Sequence, residues 1–222
     1  MNDFVSMDWK RNRGWPWPEN SFGLTPMYGE DGWCKNCAVP NREQTGSLVL
    51  QRQSMRPVGA WVPNWIYDTI CVSAVLVEEI DSRFDVDLRA VEWAASSPGE
   101  AMQLVIPTVG ESWFDPEQLR ERVIEDHARD GATCPVCGVW RWFPIVFDTL
   151  PPLDIKPGLG DRDIAASPEW FGDGRKAFRQ ILVRRELGEL LASSSPRDFS
   201  VQEVEWQATN DNVRDETSDR VD

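Results

Sequence analysis

Two short stretches, Cys34-Lys35-Asn36-Cys37-Ala38 and Cys134-Pro135-Val136-Cys137-Gly138, decide how this chain is read. Each places two thiols with two residues between them, a spacing that lets both sulfurs of one turn reach a single metal ion. Thiolate is a soft ligand that suits Zn²⁺, and four of them complete a tetrahedron with bonds of about 2.3 Å. In the second stretch Pro135 fixes φ, and Gly138 permits the left-handed backbone that such a turn needs after its second ligand. The first stretch has Ala38 at that point, where left-handed geometry costs an L-residue roughly 1–2 kcal/mol, so a different turn is expected there. Cys34, Cys37, Cys134 and Cys137 are therefore expected to hold one structural Zn²⁺. A redox role for either pair is the competing reading, and two pairs in one chain favour metal.

The pairs lie 100 positions apart, against the about 15–20 typical of compact zinc fingers. The entropy of closing a loop grows only logarithmically with its length, so this is no thermodynamic obstacle. It makes the ion a clamp between two distant parts of the chain.

Outward from the cysteines, a degenerate repeat emerges. Cys34-x-x-Cys37 is followed by Pro63-Asn64-Trp65-x-x-Asp68, Ile70-x-Val72, Leu76, Glu78, Phe84-x-Val86 and Val91-Glu92-Trp93. Cys134-x-x-Cys137 is followed by Pro168-Glu169-Trp170-x-x-Asp173, Ile181-x-Val183, Leu187, Glu189, Phe199-x-Val201 and Val204-Glu205-Trp206. The order is the same and the gaps differ, a pattern expected of an old duplication. Phe178 to Val183 is a short apolar run consistent with a buried strand, and Leu187, Leu190 and Leu191 follow at helical spacing. Phe199 to Trp206 alternates like a strand, and Phe84 to Trp93 is its expected counterpart. Between the two copies, Asp115-Pro116-Glu117-Gln118 carries an N-cap, a first-turn proline and a capping-box glutamine in order. Leu119, Val123 and Ile124 then give an apolar stripe, with Gly131 the expected stop. The expected fold is α+β: two pseudo-repeated halves, about residues 30–93 and 130–206, each a small sheet with a helix, joined by a zinc-ribbon-like site within one domain of residues 21–206. Residues 1–20 are expected to form an extended arm packed by Trp15 and Trp17. Residues 207–222 are polar and mostly acidic, a composition expected to remain disordered.

Acidic residues outnumber basic ones 37 to 23, for a formal charge of −14. Such a field repels nucleic-acid phosphates and anionic membranes and favours a basic partner. No stretch reaches the roughly 18 apolar residues of a membrane span, and the N-terminus has no apolar run of signal-peptide length. The expected location is cytoplasmic, where thiols stay reduced. Cys71, between Ile70 and Val72, reads as a buried core thiol.

Signs of catalysis are sparse. HExxH, GxSxG, a Walker loop and a strand-led GxGxxG are all missing from the sequence. His127, the single histidine, falls near a helix C-terminus, where a cation is favourable. Asp161 and Asp163 are expected in a solvated loop, and Asp68 and Asp173 in turns. Four cysteines leave a zinc ion no open coordination position, so no catalytic residue is expected.

The paired knuckles, with Gly138 after the second, and the strand–helix–strand from Phe178 to Trp206 resemble the bacterial double-CxxCG motif proteins. Ala38 stands where that pattern has its first glycine. The resemblance implies a cytoplasmic zinc protein associated with immunity to polymorphic toxins, one that binds and neutralises a cognate toxin. Carried over to this chain, it assigns Cys34, Cys37, Cys134 and Cys137 as zinc ligands and nothing more. The expected function is thus non-enzymatic binding of a protein partner, a basic toxin being the candidate. The alternative is a zinc-ribbon module acting with nucleic acid or the transcription machinery, supported by the small cluster Lys10, Arg11 and Arg13 and opposed by the overall charge. The sequence does not specify an oligomeric state.

Overall fold

Ile181–Arg184 is short, apolar and β-branched, and it forms strand β11, its first three residues buried. The computed structural model describes residues 3–9, 15–51, 57–95, 99–144, 149–154 and 159–207. Helix α4 (Arg185–Ser194) follows β11 at once and buries Leu187, Gly188 and Leu191. Strand β12 (Phe199–Gln202) comes next. β10 (Ile164–Ala166) pairs with β11 on one side, and β1 (Phe4–Trp9) pairs with it on the other. β12 pairs with the far edge of β1, giving the order β10-β11-β1-β12 with every neighbour antiparallel.

The segment expected as an N-terminal arm thus contains an inner strand of a sheet. Phe4 and Ser6 face one side of β1 and Val5 and Met7 the other, and all four are buried. The interruption by Ser6 and Asp8 hides this strand from a reading by hydrophobicity. Both faces of its sheet are covered, so polar and apolar positions do not alternate as they do on a half-exposed strand. Trp15 is buried as expected, whereas Trp17 is partly exposed. Lys10, Arg11 and Arg13 lie outside the described residues, as do residues 208–222.

A second four-stranded sheet has the order β3-β4-β7-β5, again all antiparallel. Its strands are β3 (Ala60–Trp61), β4 (Cys71–Ser73), β5 (Asp87–Ala90) and β7 (Ala101–Val105). Helix α2 (Ala74–Arg83) follows β4 as α4 follows β11. In both sheets the strands flanking the helix in sequence run parallel, with one antiparallel strand between them. That inserted strand is β7 in one sheet and β1 in the other. Val72 and Val183 occupy matching registers, paired with Ala60 and Met102 in one case and with Ile164 and Val5 in the other. The stretch Phe84–Trp93, expected as one strand, is two. β5 stays in this sheet, while β6 (Glu92–Trp93) pairs in parallel with β2 (Val49–Leu50). Val91 marks the break, where the alternation stops and the side chain is buried. Trp206 makes a parallel bridge to Leu153. Ala94 N donates to Leu50 O at 2.9 Å and Gln207 N donates to Leu153 O at 2.9 Å, so both Val-Glu-Trp segments are held in the same way.

Helix α3 (Pro116–His127) begins as the sequence dictates, Asp115 accepting from the Glu117 and Gln118 amides. It ends on Ala128 in the left-handed region, three residues before Gly131, which instead opens strand β8 (Gly131–Thr133). Leu119 and Val123 are buried, and Ile124 is exposed. β8 pairs with β9 (Trp140–Trp142) to form a hairpin. A short helix, α1 (Leu24–Tyr28), completes the described elements. No described helix is long and apolar enough to cross a membrane.

One apolar core joins the two sheets: Trp61, Ile70, Val72 and Ile80 belong to the same buried cluster as Val5, Val183, Leu187 and Phe199. A second cluster covers the other face of the β1-containing sheet with Trp113, Phe114, Leu119 and Phe171. At the seam between the sheets, Gly59 has φ +66°, and a Cβ there would lie 2.5 Å from Ser194 O. The Ala60 amide donates to the Ser195 hydroxyl at 2.9 Å in the same place. Gly59→Ala is expected to destabilise the protein by at least about 1–2 kcal/mol, through backbone strain and a clash with a main-chain oxygen that cannot swing aside. Urea unfolding measures this, and an unchanged midpoint would show that the seam yields.

Candidate metal centre

The two CxxC turns, 100 positions apart, meet. Cys34 Sγ lies 3.8 Å from Cys134 Sγ, and Cys37 Sγ lies 3.5 Å from Cys137 Sγ. All four sulfurs fall within 4.8 Å of one another. A tetrahedron with metal–sulfur bonds of about 2.3 Å has sulfur–sulfur edges of about 3.8 Å, so the observed separations suit one ion and no larger cluster. The five cysteines are all free thiols, so the pairs are not closed as disulfides.

Each turn builds its half of the site with the same main-chain bonds. Cys34 N donates to Val39 O at 2.8 Å and Ala38 N to Cys34 O at 2.8 Å; Cys134 N donates to Val139 O at 2.9 Å and Gly138 N to Cys134 O at 2.9 Å. Gly138 has φ 74° and Ala38 has φ 67°. The expectation that alanine would make the first turn differ is therefore corrected: Ala38 accepts the left-handed conformation. Its side chain is buried in the main apolar cluster, which offsets part of the strain.

The surroundings differ more than the turns do. Cys34, Cys37 and Cys134 are buried, and Cys137 is exposed. The Cys137 amide, aided by other hydrogen bonds, pushes the Cys134 thiol down to about 6. Asn36 contributes to this from the opposite turn, its Nδ2 donating to Cys134 Sγ at 3.3 Å. Burial pushes the Cys37 and Cys137 thiols up. A dication held among the sulfurs reverses that preference, so binding releases protons and strengthens as pH rises.

Arg141, on β9, is buried and makes three bonds to carbonyls. Its Nη1 donates to Cys37 O at 3.4 Å, Gly174 O at 2.8 Å and Lys176 O at 3.0 Å. It ties the first turn to the hairpin carrying the second, and both to the 172–178 segment. Neither Arg141 nor Asn36 was singled out from sequence. Asn36 sits inside a CxxC motif, where an amide side chain is a readable donor, but nothing about an arginine between two tryptophans signals its role.

The remaining sequence candidates lie elsewhere. Cys71 is fully buried in β4, its thiol pushed up by burial, as expected of a core residue. His127 is exposed at the end of α3, its ring 5.7 Å from that of Phe143. Asp163 is not in a solvated loop: it is buried, pairs with Arg184 and accepts from the Asp85 amide at 2.6 Å. Asp161 is exposed. Asp173 caps its own turn, accepting from Gly174 N at 2.7 Å. Asp68 accepts from Arg179 N at 3.2 Å, and burial pushes its carboxyl up to about 6.

No protein-family model matches this sequence, and neither curated proteins nor solved structures give a match.

Asn36→Ala removes, among the described residues, the one side chain other than cysteine that donates to the sulfurs. Metal affinity is expected to fall about tenfold or more, as for other residues supporting metal ligands. Competition with a chromogenic chelator measures this, and equal affinities for the two proteins would show that the amide is idle.

Proposed function

We propose that this chain is a structural-zinc protein whose work is to bind another protein. The observation that carries the reading is the closed donor set. Four thiolates satisfy a tetrahedral zinc ion completely and leave no position for a water or a substrate, which is the arrangement of structural sites. Soft sulfur ligands in a tetrahedron favour zinc among the metals a cell supplies. The two turns, the two sheets with matching strand order and the two Val-Glu-Trp bridges support descent from a duplicated unit, with the zinc holding its copies together.

Binding, and not catalysis, is supported by the groups around the metal. The exposed face of the second turn presents Val136, which is 71% exposed, and Trp140, which is 37% exposed. Large aromatic residues of this kind are the commonest anchors of protein interfaces. The chain as a whole carries a formal charge of −14, suited to fast, salt-dependent association with a basic partner. Together with the resemblance to the double-CxxCG proteins, this points to an immunity protein that neutralises a toxin by occluding its basic substrate groove.

The test is co-purification with any toxin-like product encoded beside this gene, followed by titration against the purified partner. The complex is expected to weaken as salt rises, and Trp140→Ala is expected to cost about 2 kcal/mol or more in affinity. Failure to bind any adjacently encoded toxin would remove the immunity reading. A loss of affinity below about 0.5 kcal/mol for the variant would place the interface elsewhere.

A further inference from the structure

Apart from the four sulfurs, the protein holds a cavity of about 930 Å³. Its lining comes from the end of β1, from Trp65 and Tyr67 ahead of β4, and from the 172–181 segment that leads into β11. The volume is that of sites that take a small organic molecule, which run from about 300 to 1,000 Å³.

The chemistry of the lining runs against the character of the chain. Acidic residues outnumber basic ones 37 to 23, yet Arg175, Lys176 and Arg179 all line this cavity. Among the described residues, none of the three has a carboxylate within ion-pair distance. Asp8 and Asp173 line it too, but Asp173 directs Oδ1 to the Gly174 amide. Asp68 feels the Arg179 charge from a distance and bonds only to its backbone amide. Burial lowers the Arg179 pKa, Asp68, Tyr28 and Glu169 oppose that shift, and its guanidinium stands 4.2 Å from the centre of the Trp170 ring.

Aromatic faces accompany the cations. Lys176 Nζ stands 4.4 Å from the centre of the Trp65 ring and 3.3 Å from the Tyr67 hydroxyl. Phe178 packs edge-on against Tyr67, ring centres 5.9 Å apart. Among the described residues, Trp65 Nε1 and Arg179 Nε are buried donors without an acceptor, as are Trp33 Nε1, Trp61 Nε1 and Trp206 Nε1 away from the cavity. Buried donors are normally satisfied, and leaving one unpaired costs about 1–3 kcal/mol. The site thus offers positive charge beside flat apolar surface.

We propose that this cavity binds a small planar ring carrying an anionic group, a phosphate or a carboxylate. Arg175, Lys176 and the Arg179 guanidinium receive the anion. Tyr67 and Phe178 receive the ring, next to Trp65, which itself stacks on Phe22 with ring centres 5.0 Å apart. The Gly174 and Lys176 carbonyls are pinned by Arg141, which also holds the Cys37 carbonyl, so the metal centre keeps the cationic segment in place before a ligand arrives. The inference is independent of whether the protein also binds a toxin.

Isothermal titration of the full-length, zinc-loaded protein tests it with two matched probe pairs: 5′-AMP against adenosine, and naphthalene-1-carboxylate against naphthalene-1-carboxamide. In at least one pair the anion is expected to bind about tenfold or more tightly than its neutral partner, the ratio expected of a charge-assisted hydrogen bond. Arg175→Ala and Lys176→Gln are each expected to weaken that anion about tenfold while leaving the circular dichroism spectrum unchanged, since Arg175 is exposed and Lys176 half-exposed. The proposal is overturned if neither anion binds below about 1 mM, if anions and neutral partners bind alike, or if both variants bind as the parent does. The probe comparison stands even if a variant fails to fold.

Discussion

The convergence of two sulfur pairs from opposite ends of a 100-residue span is the constraint on which the rest of the molecule depends. Between the two turns the chain builds an entire sheet, its helix and α3; after the second turn it builds β9 to β12 and α4. A metal held by these sulfurs would close a loop that contains most of one half and fix where the other half begins. Structural zinc sites contribute apparent free energies of about 10–16 kcal/mol, as large as the whole stability of an ordinary domain at about 5–15 kcal/mol. Against that scale, the roughly 1–2 kcal/mol of backbone strain at Ala38 is minor. With zinc bound, that difference in magnitude would account for an alanine where the second turn has a glycine.

A second tie complements the metal. β1 is inserted between β11 and β12, so the first residues of the chain complete a sheet otherwise made by its last third. The helices of the two sheets then bury their apolar faces in one shared core. Arg141 links these levels, reaching from the first cysteine turn to the cationic segment of the cavity. A perturbation at the sulfurs would be transmitted to that segment through hydrogen bonds to main-chain carbonyls, and not through side-chain packing alone.

Much of this was legible in the sequence, and the limits have physical causes. The CxxC spacing is short-range chemistry, and it named all four cysteines that come together. The α4 stripe of Leu187 and Leu191 and the Asp115 cap are also local, and both stand as read. β1 was missed because a strand covered on both faces by unlike neighbours need not alternate, and Ser6 is as buried as Val5. Asp163 read as solvent-facing because its partner, Arg184, lies 21 positions away and is brought close only by the pairing of β10 with β11. The cavity was beyond any local reading, since its residues come from segments more than 160 positions apart and share no motif.

X-ray absorption at the zinc edge, on protein purified anaerobically and counted for metal by elemental analysis, tests the central claim most directly. The account requires one zinc ion per chain, surrounded by four sulfurs at about 2.3 Å. Protein that retains its fold with no bound metal, or a zinc shell with fewer than four sulfurs, would contradict it.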